Sequence, residues 1–521
     1  MEYPEHAGIN QRAGTVTLMA DENSVKELVR ILAKSRIVLE GDITPEQLSG
    51  IDISLIADKL IESQESNLGI KFVNAGQINE IIESLKAAKT PMPIEISRSP
   101  SFNPEAKDIA PSYSIRDKPT ERTEGTADDF TSYFNSRVDR MRAILMEHMG
   151  IMGSMAENID AMKKYAEGRE VTVLGIVTSR NQTAKGHVSA LIEDSTGEIR
   201  VLFMNGSSQQ SKLLFQKTSS IINDEVIAVK GKLWKGMVIA SDLLMPDVPI
   251  INKKNISQDI AVAFLSDVHV GSKRFMEKNF LHMIDWLNGN VATRKDLAEK
   301  IKYIVIAGDV ADGIGIYPGQ EDDLAVFDIY AQYRQLFKLL EAIPDYVHVF
   351  VMPGNHDAVQ RAEPQPPLTA QLLADQKWNN IHIVTNPSYL TLQGMEVLAY
   401  HGTSLDDTIA SIPGLSYAYP EKAMIELLKR RHLSPVYGGK NVIVPSKNDN
   451  LIIDKVPDIL HMGHIHKNGI SNYHGVEIVN SGTWQARTDF QIRTGHIPTP
   501  CILPVYEMKS HHFTEMNFGS E

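Results

Sequence analysis

The chain has 521 residues, 42% of them hydrophobic and 22% charged, which is too long for one ordinary core and too apolar for a wholly disordered or fibrous chain. Lys and Arg number 52 against 65 Asp and Glu, a formal net charge of -13, which excludes a surface that attracts polyanions throughout and leaves nucleic-acid contact to a local patch or a partner. One cysteine, Cys501, excludes an internal disulfide and a multi-cysteine zinc site, and suits a reducing compartment.

The first residues, MEYPEHAGINQRAG, lack a basic stretch followed by an apolar one, and no apolar run is long enough for a membrane span, so a soluble cytoplasmic protein is expected. Ser24 with Glu27 and Thr44 with Gln47 have capping-box spacing. Val25, Leu28, Val29 and Leu32, then Leu55, Ile56 and Leu60, then Ile78, Ile81, Ile82 and Leu85 recur at helical spacing. These predict a small helical domain over 1–88. Six prolines, many serines and little apolar periodicity predict a disordered linker over 89–129. Phe134, Val138, Met141, Leu145 and Met149 predict a helix, broken near Gly150 and Gly153, within a helical connector over 130–168.

From Arg169 the pattern changes to β-rich runs, VTVLGIVTS, HVSALIE, EIRVLFM, EVIAVKGKL and MVIASDLL, with the helical piece QQSKLLFQK between the third and fourth. That order matches an OB-fold β-barrel over 169–250. Nine basic and eight acidic residues in it make a poor electrostatic groove for single-stranded DNA, so protein docking is at least as natural a role. From Ile260 onward, continuous apolar runs end in polar residues: IAVAFLSD, YIVIAGD, VHVFVMPGNHD, VLAYHG, DILHMGHIH and VEIVNSGT. Such runs suit strands buried on both faces, with helical stripes such as Leu324 to Leu340 between them, in a domain over 258–510 followed by a tail over 511–521.

The polar residues at these strand ends form a set: Asp267-Val268-His269, Gly308-Asp309, Gly354-Asn355-His356-Asp357, Tyr400-His401-Gly402 and Gly463-His464-Ile465-His466. Singly, each is more often a turn, a cap or a satisfied structural histidine. Together they supply the carboxylates, imidazoles and amide oxygen that a two-metal site requires. Asp312 reads as a cap or as support for a neighbour, and His461, His474, His496, His511 and His512 as structural or surface residues.

This set resembles the signature of the calcineurin-like metallophosphoesterases over about Ile260 to Pro504, which implies an α/β metallophosphoesterase β-sandwich flanked by helices. The wider layout, with FLSDVHVGS, IAGDVADGIGIYPGQ and NSGTWQ, resembles the small, exonuclease subunits of archaeal family D DNA polymerases. The resemblance implies one metal held by Asp267, His269 and His466, a second by Asn355, His401 and His464, Asp309 bridging them, and His356 as general acid. It implies two divalent ions, Mn2+ or a similar transition metal. The implied activity is 3′ to 5′ proofreading hydrolysis of DNA by a nucleoid-associated, two-subunit polymerase. The implied partners are the large catalytic subunit, a DNA primer 3′ end and, as a further candidate, a sliding clamp. Two alternatives stand beside this reading: a free-standing phosphodiesterase or phosphatase, and a catalytically silent polymerase scaffold.

Overall fold

The structure, a computed structural model, describes residues 22–34, 37–40, 44, 56, 71–74, 76–81, 99, 102–120, 122–151, 156–374 and 376–519. The architecture is mixed α/β and multidomain, in two compact units, Met1–Pro93 and Ile94–Glu521. In the first unit the helix Glu22–Lys34 buries Leu28 and Leu32, as their spacing predicts. It begins before Ser24, so the Ser24 and Glu27 pair lies inside the helix rather than at its cap.

The all-helical expectation for 1–88 is corrected by β1 (Ile37–Glu40) and β2 (Lys71–Asn74), which pair in parallel with Val38 opposite Phe72. IVLE and KFVN are short β-favouring runs that a search for helical periodicity passes over. Asn74 and Gln77 then cap residues 76–81 reciprocally, through bonds of 2.9 and 3.0 Å between backbone N–H groups and side-chain oxygens. Of the predicted helices around Thr44 to Gln47 and Leu55 to Leu60, all but Thr44 and Ile56 lie outside the described residues, as do Ile82 and Leu85.

The disordered linker expected over 89–129 is corrected between 102 and 120. There β3 (Tyr113–Asp117) pairs antiparallel with β13 (Ser388–Leu392), Ile115 opposite Leu390. Phe102 and Ala106 join the main core, and Lys302 Nζ donates to the Ala106 carbonyl at 2.9 Å. The segment is too polar to bury much surface of its own; it orders by borrowing a sheet edge and a core built elsewhere.

The helix Ala127–Ile151 starts slightly before the predicted Phe130 and ends between the two predicted glycine breaks. Val138, Met141 and Leu145 pack against Leu174, Ile176, Val226 and Ala228 of a barrel and against Ile452 of the C-terminal half. The barrel closes in the order β4 (Glu170–Gln182), β5 (Val188–Asp194), β6 (Gly197–Phe203), β8 (Met237–Leu244), β7 (Val226–Trp234). The helix Gln209–Lys217 falls between its third and fourth strands, as the sequence predicts.

Two six-stranded sheets build the C-terminal half. The first runs β12 (Ile381–Ile383), β11 (His348–Met352), β10 (Ile301–Ala307), β9 (Ala261–Leu265), β18 (Ile502–Glu507), β19 (His512–Asn517). The tail expected over 511–521 is thus corrected: residues 512–517 are an edge strand, with Thr514 opposite Val505. The second sheet runs β16 (Asn468–Tyr473), β17 (Val476–Ser481), β15 (Ile459–Met462), β14 (Met395–Ala399), β13, β3.

One apolar cluster takes Val262, Phe264 and Ile304 from the first sheet and Leu390, Val397 and Val479 from the second, together with Phe280 and Leu336 of the helices Glu277–Leu287 and Ile329–Glu341. The latter helix is the stripe predicted from Leu324, started later by Asp328, whose side chain accepts from Ala331 N–H at 2.6 Å. A second cluster joins Leu427 and Leu428 of the helix Pro420–Arg430 to Leu398, Leu460 and Ile478. β9 and β10 are buried at every position, which explains their unbroken apolar runs. β9, β10 and β11 are mutually parallel, as are β14, β15 and β17, so within each sheet these C-terminal ends lie along one edge.

Candidate metal centre

Every residue of the predicted constellation follows directly on one of five parallel strands: Asp267 and His269 on β9, Asp309 on β10, Asn355 and His356 on β11, His401 on β14, His464 and His466 on β15. Backbone bonds stitch these ends together. Asp267 N–H donates to the Gly308 carbonyl at 2.9 Å, His269 N–H to that of Asp309 at 3.0 Å, and Gly463 N–H to that of His401 at 2.8 Å. Across the two sheets, His464 N–H donates to Asp267 Oδ2 at 2.9 Å.

Five of these residues hold the left-handed conformation that favours glycine: Asp267 (φ 52°), His269 (53°), Asp309 (49°), His464 (67°) and His466 (56°). Strain of this kind costs roughly 1 to 3 kcal/mol per residue and persists where surrounding structure over-determines it. Two glycines make the close approach feasible. A Cβ on Gly354 would strike Asp309 Oδ1, and one on Gly463 would strike Asp267 Oδ2.

The seven predicted ligands come together in two groups. In the first, His466 Nε2 lies 3.3 Å from Asp267 Oδ1 and 3.1 Å from His269 Nε2. In the second, His401 Nε2 lies 3.3 Å from Asp309 Oδ2 and 2.9 Å from Asn355 Oδ1, with His464 in the same cluster. Asp309 Oδ2 is also 4.0 Å from His269 Nε2, which sets this carboxylate between the groups. His356 donates its backbone N–H to Asp309 Oδ1 at 2.8 Å, and its ring Nδ1 bonds to the Asp312 carbonyl at 2.9 Å.

Behind these stand residues that sequence reasoning missed or left unassigned. Asp312 Oδ1 accepts a hydrogen bond from His269 Nδ1–H at 2.9 Å, so it supports a neighbour as one of its two expected roles. Gln485 Nε2 donates to the same Asp312 oxygen at 3.2 Å. Asp357, the last residue of GNHD, accepts from Gly354 N–H, Val310 N–H, Ala311 N–H and Tyr333 OH at 2.8 to 3.2 Å, tying the ends of β10 and β11 together. Asp406 Oδ1 lies 3.7 Å from His464 Nε2 and also pairs with Lys440. Asp312, Asp357 and Gln485 lie within motifs quoted from the sequence, whereas Asp406, in the first turn of the helix Leu405–Ser411, has no motif around it.

Among the remaining histidines, His461 is buried with Nε2 3.0 Å from Ser481 Oγ, and His474 Nδ1 bonds to the Val248 carbonyl. His496, read from sequence as having no motif context, bonds through Nε2 to the Ile465 carbonyl at 2.6 Å, beside the site.

Burial alone would raise Asp309, but His401, His356 and His269 outweigh it and hold its carboxyl well below the usual range. Burial would likewise lower His269 and His401; their carboxylate neighbours outweigh it and push them up to about 9 and about 10. The buried carboxylates thus draw positive charge into the site, and protons on imidazoles supply it when no other cation does. His356 is lowered, chiefly by burial.

The donor set fits divalent cations at most positions. Asp267 Oδ1 is buried with no hydrogen-bond partner. His269 and His401 donate Nδ1–H to Asp312 and to the Ala307 carbonyl at 2.8 Å, so that the proton each ring would yield to a cation is the one on Nε2, facing its cluster. His466 differs. Gln491 Oε1 accepts from Thr488 N–H in a capping box, so its Nε2 faces His466 Nδ1 at 3.0 Å as a donor. A neutral His466 then carries its proton on Nε2, toward Asp267 and His269; a cation there requires the Gln491 amide to turn over.

Residues 262–469 match the family of the B subunits of DNA polymerases alpha and epsilon. The DNA polymerase II small subunit of Archaeoglobus fulgidus is 43% identical over 387 residues, covering 74% of this chain and 76% of that protein. That of Methanothermobacter thermautotrophicus is 34% identical over 487 residues, covering 92% and 98%. The chain belongs to the family of archaeal DNA polymerase II small subunits. Among solved structures, a zinc complex of Vps29 from Entamoeba histolytica aligns with 50% of this chain and all of its own at 14% identity, with a TM-score of 0.23, too low to carry an argument. No helix among the described residues is long and apolar enough to cross a membrane.

Proposed function

We propose that this chain is the 3′ to 5′ proofreading exonuclease of a two-subunit archaeal replicative polymerase, working beside the large catalytic subunit that its relatives' name implies. The observation that carries this reading is the meeting of five strand ends in two ligand groups on either side of Asp309, with the buried Asp267 Oδ1 meeting no hydrogen bond and facing His466 Nε2 at 3.3 Å. The closed five-stranded barrel and the two six-stranded sheets with outer helices support reading them as an OB-fold and a metallophosphoesterase domain. A catalytically silent scaffold has no need of five strained residues at one edge.

Asp267, His269 and His466 would hold one divalent ion and Asn355, His401 and His464 the other, with Asp309 shared. When bound, the two ions supply Lewis acidity to the phosphate and lower the pKa of water. Asp312 and the Ala307 carbonyl keep His269 and His401 in one tautomer and one orientation. The Asp312 carbonyl does the same for His356, so that its imidazolium form, protonated from solvent, directs Nε2–H to the departing O3′. Water adds its oxygen to phosphorus and loses a proton to solvent while the P–O3′ bond breaks. A nucleoside 5′-monophosphate and a strand with a free 3′-hydroxyl result.

The test is digestion of matched and mismatched primer ends with and without the co-expressed large subunit. The reading expects faster removal at a mismatch, where unpairing costs least, and a rise in activity when the large subunit is present. Equal rates in all four cases, with small phosphodiesters turned over faster than DNA, would favour a free-standing phosphodiesterase.

A further inference from the structure

Half of the exposed large apolar side chains among the described residues, nine of eighteen, lie in three segments: 313–330, 412–419 and 489–497. Each segment lies next to, or includes, a residue that contacts a site histidine or the GHIH backbone. The first follows Asp312, which holds His269 and His356. The second follows Asp406, beside His464. The third carries Gln491, against His466, and His496, against the Ile465 carbonyl. Folding has no use for apolar groups left in water beside a polar centre; a ligand with flat apolar faces does.

Two tyrosines neighbour different groups of the centre, Tyr317 at His356 and Tyr417 at Asp406 beside His464. The Tyr317 ring is 6.3 Å from the His356 ring, edge to face, and 36% exposed. Tyr417 is 38% exposed, 5.8 Å from the His496 ring, and touches Asp406 through its hydroxyl. On the His466 side, Phe490 and Ile492 flank Gln491 and are 64% and 53% exposed. The segment beside Tyr317 is acidic, with Glu321, Asp322 and Asp323, so charge does not draw a phosphate backbone there. Stacking does not depend on charge and tolerates any base.

Resting on the nuclease reading, we infer that the mouth of this site is a base-stacking clamp for an unpaired strand end, with Tyr317 taking the penultimate base and Tyr417 the terminal one. The assignment follows from the chemistry. His356 protonates the O3′ of the penultimate nucleotide, so that nucleotide lies on the His356 side, where Tyr317 stands; the released nucleotide lies toward His464 and Tyr417. A clamp of this kind admits only a strand already parted from its template, because paired bases are stacked on one another.

The experiment uses the full chain and single-stranded oligonucleotides whose terminal or penultimate 3′ residue is either intact or an abasic tetrahydrofuran. Cleavage gives kcat/KM, and fluorescence anisotropy gives Kd independently of cleavage. Wild type should bind and cut either abasic end about tenfold less well than an intact end. Tyr317→Ala should lose the penultimate preference and keep the terminal one, whereas Tyr317→Phe, which lacks the hydroxyl bonded to Asp323, should keep both. Equal binding of intact and abasic ends by wild type would overturn the clamp and leave the exposed rim to a protein partner. A penultimate preference that survives Tyr317→Ala would overturn the assignment, and the comparison of ends on wild type stands even if that variant fails to fold. Base-dependent binding without cleavage would sink the nuclease reading and leave the clamp; cleavage without base dependence would do the reverse.

Discussion

His356 and Gln491 each do one thing that a substitution can isolate. His356 Nδ1 is engaged by the Asp312 carbonyl, and although its ring clusters with His269 and Asp312, it lies outside the two groups assigned to metal. His356→Ala should therefore keep metal content near wild type by elemental analysis while slowing DNA cleavage by about 10² to 10⁴. A p-nitrophenyl leaving group, which needs no proton, should recover most of that loss; metal lost along with activity would make His356 a ligand instead. Gln491→Glu can keep the capping box, since Glu serves there as Gln does, while offering His466 Nδ1 an acceptor in place of a donor. Divalent affinity by calorimetry should rise about tenfold, and an unchanged or weaker affinity would contradict the tautomer argument. The proposed ligands are legible in sequence because each ends a buried apolar run and sits in a tight pair or beside glycine. Asp312 is legible as support for a neighbour but not for which one, and Gln491 and Asp406 are not legible, because what gives each its role is a partner far along the chain: 43 residues separate Asp312 from His269, and 25 separate Gln491 from His466.

At the scale of elements, β3 shows most plainly what a linear reading loses. YSIRD sits among prolines, is exposed at all five positions, and finds its partner, β13, more than 250 residues later. Neither composition nor periodicity carries that information, whereas β9 and β10 announce themselves as continuous apolar runs. The edge strand β19 escapes for the same reason, its polar HFTEMN reading as tail. The consequence is measurable. A chain beginning at residue 127 lacks Phe102, the Arg116 guanidinium 4.1 Å from the Tyr389 ring centre, and the β3 ladder. It should melt clearly below one beginning at residue 99, and Phe102→Ala alone should cost about 3 kcal/mol in denaturant unfolding. Equal melting of the two truncated chains would return 102–120 to the status of a linker.

Across the second unit as a whole, the barrel and the C-terminal half are joined through a small buried polar knot. Arg137 Nε donates to Asp449 Oδ2 at 2.7 Å, and Arg137 Nη1 to the Asp224 and Pro435 carbonyls at 3.0 and 2.8 Å. His432 Nε2 bonds to the same Asp449 oxygen at 2.7 Å, while its Nδ1 accepts from Ser434 N–H at 2.9 Å. Burial and the Arg137 charge hold His432 down to about 4, below its usual 6.5, and its accepting Nδ1 has no room for a proton. Because the folded pKa is depressed, the unfolded chain binds this proton more tightly. The stability His432 contributes is therefore present above about pH 6.5 and is lost as pH falls toward about 4. Thermal melts over that window should fall for wild type and fall less steeply for His432→Gln; parallel slopes would exclude His432 as the group responsible. On the proposed reading, Asp309 sits between two cations that drive hydrolysis of a DNA strand. The most direct test is a time course on a 5′-labelled single-stranded oligonucleotide with Mn2+, wild type beside Asp309→Ala. One-nucleotide shortening from the 3′ end by wild type is expected, abolished by chelation and nearly absent in a variant that melts like wild type; shortening at a similar rate by Asp309→Ala, or none by wild type at any metal concentration or with the large subunit added, would overturn that reading.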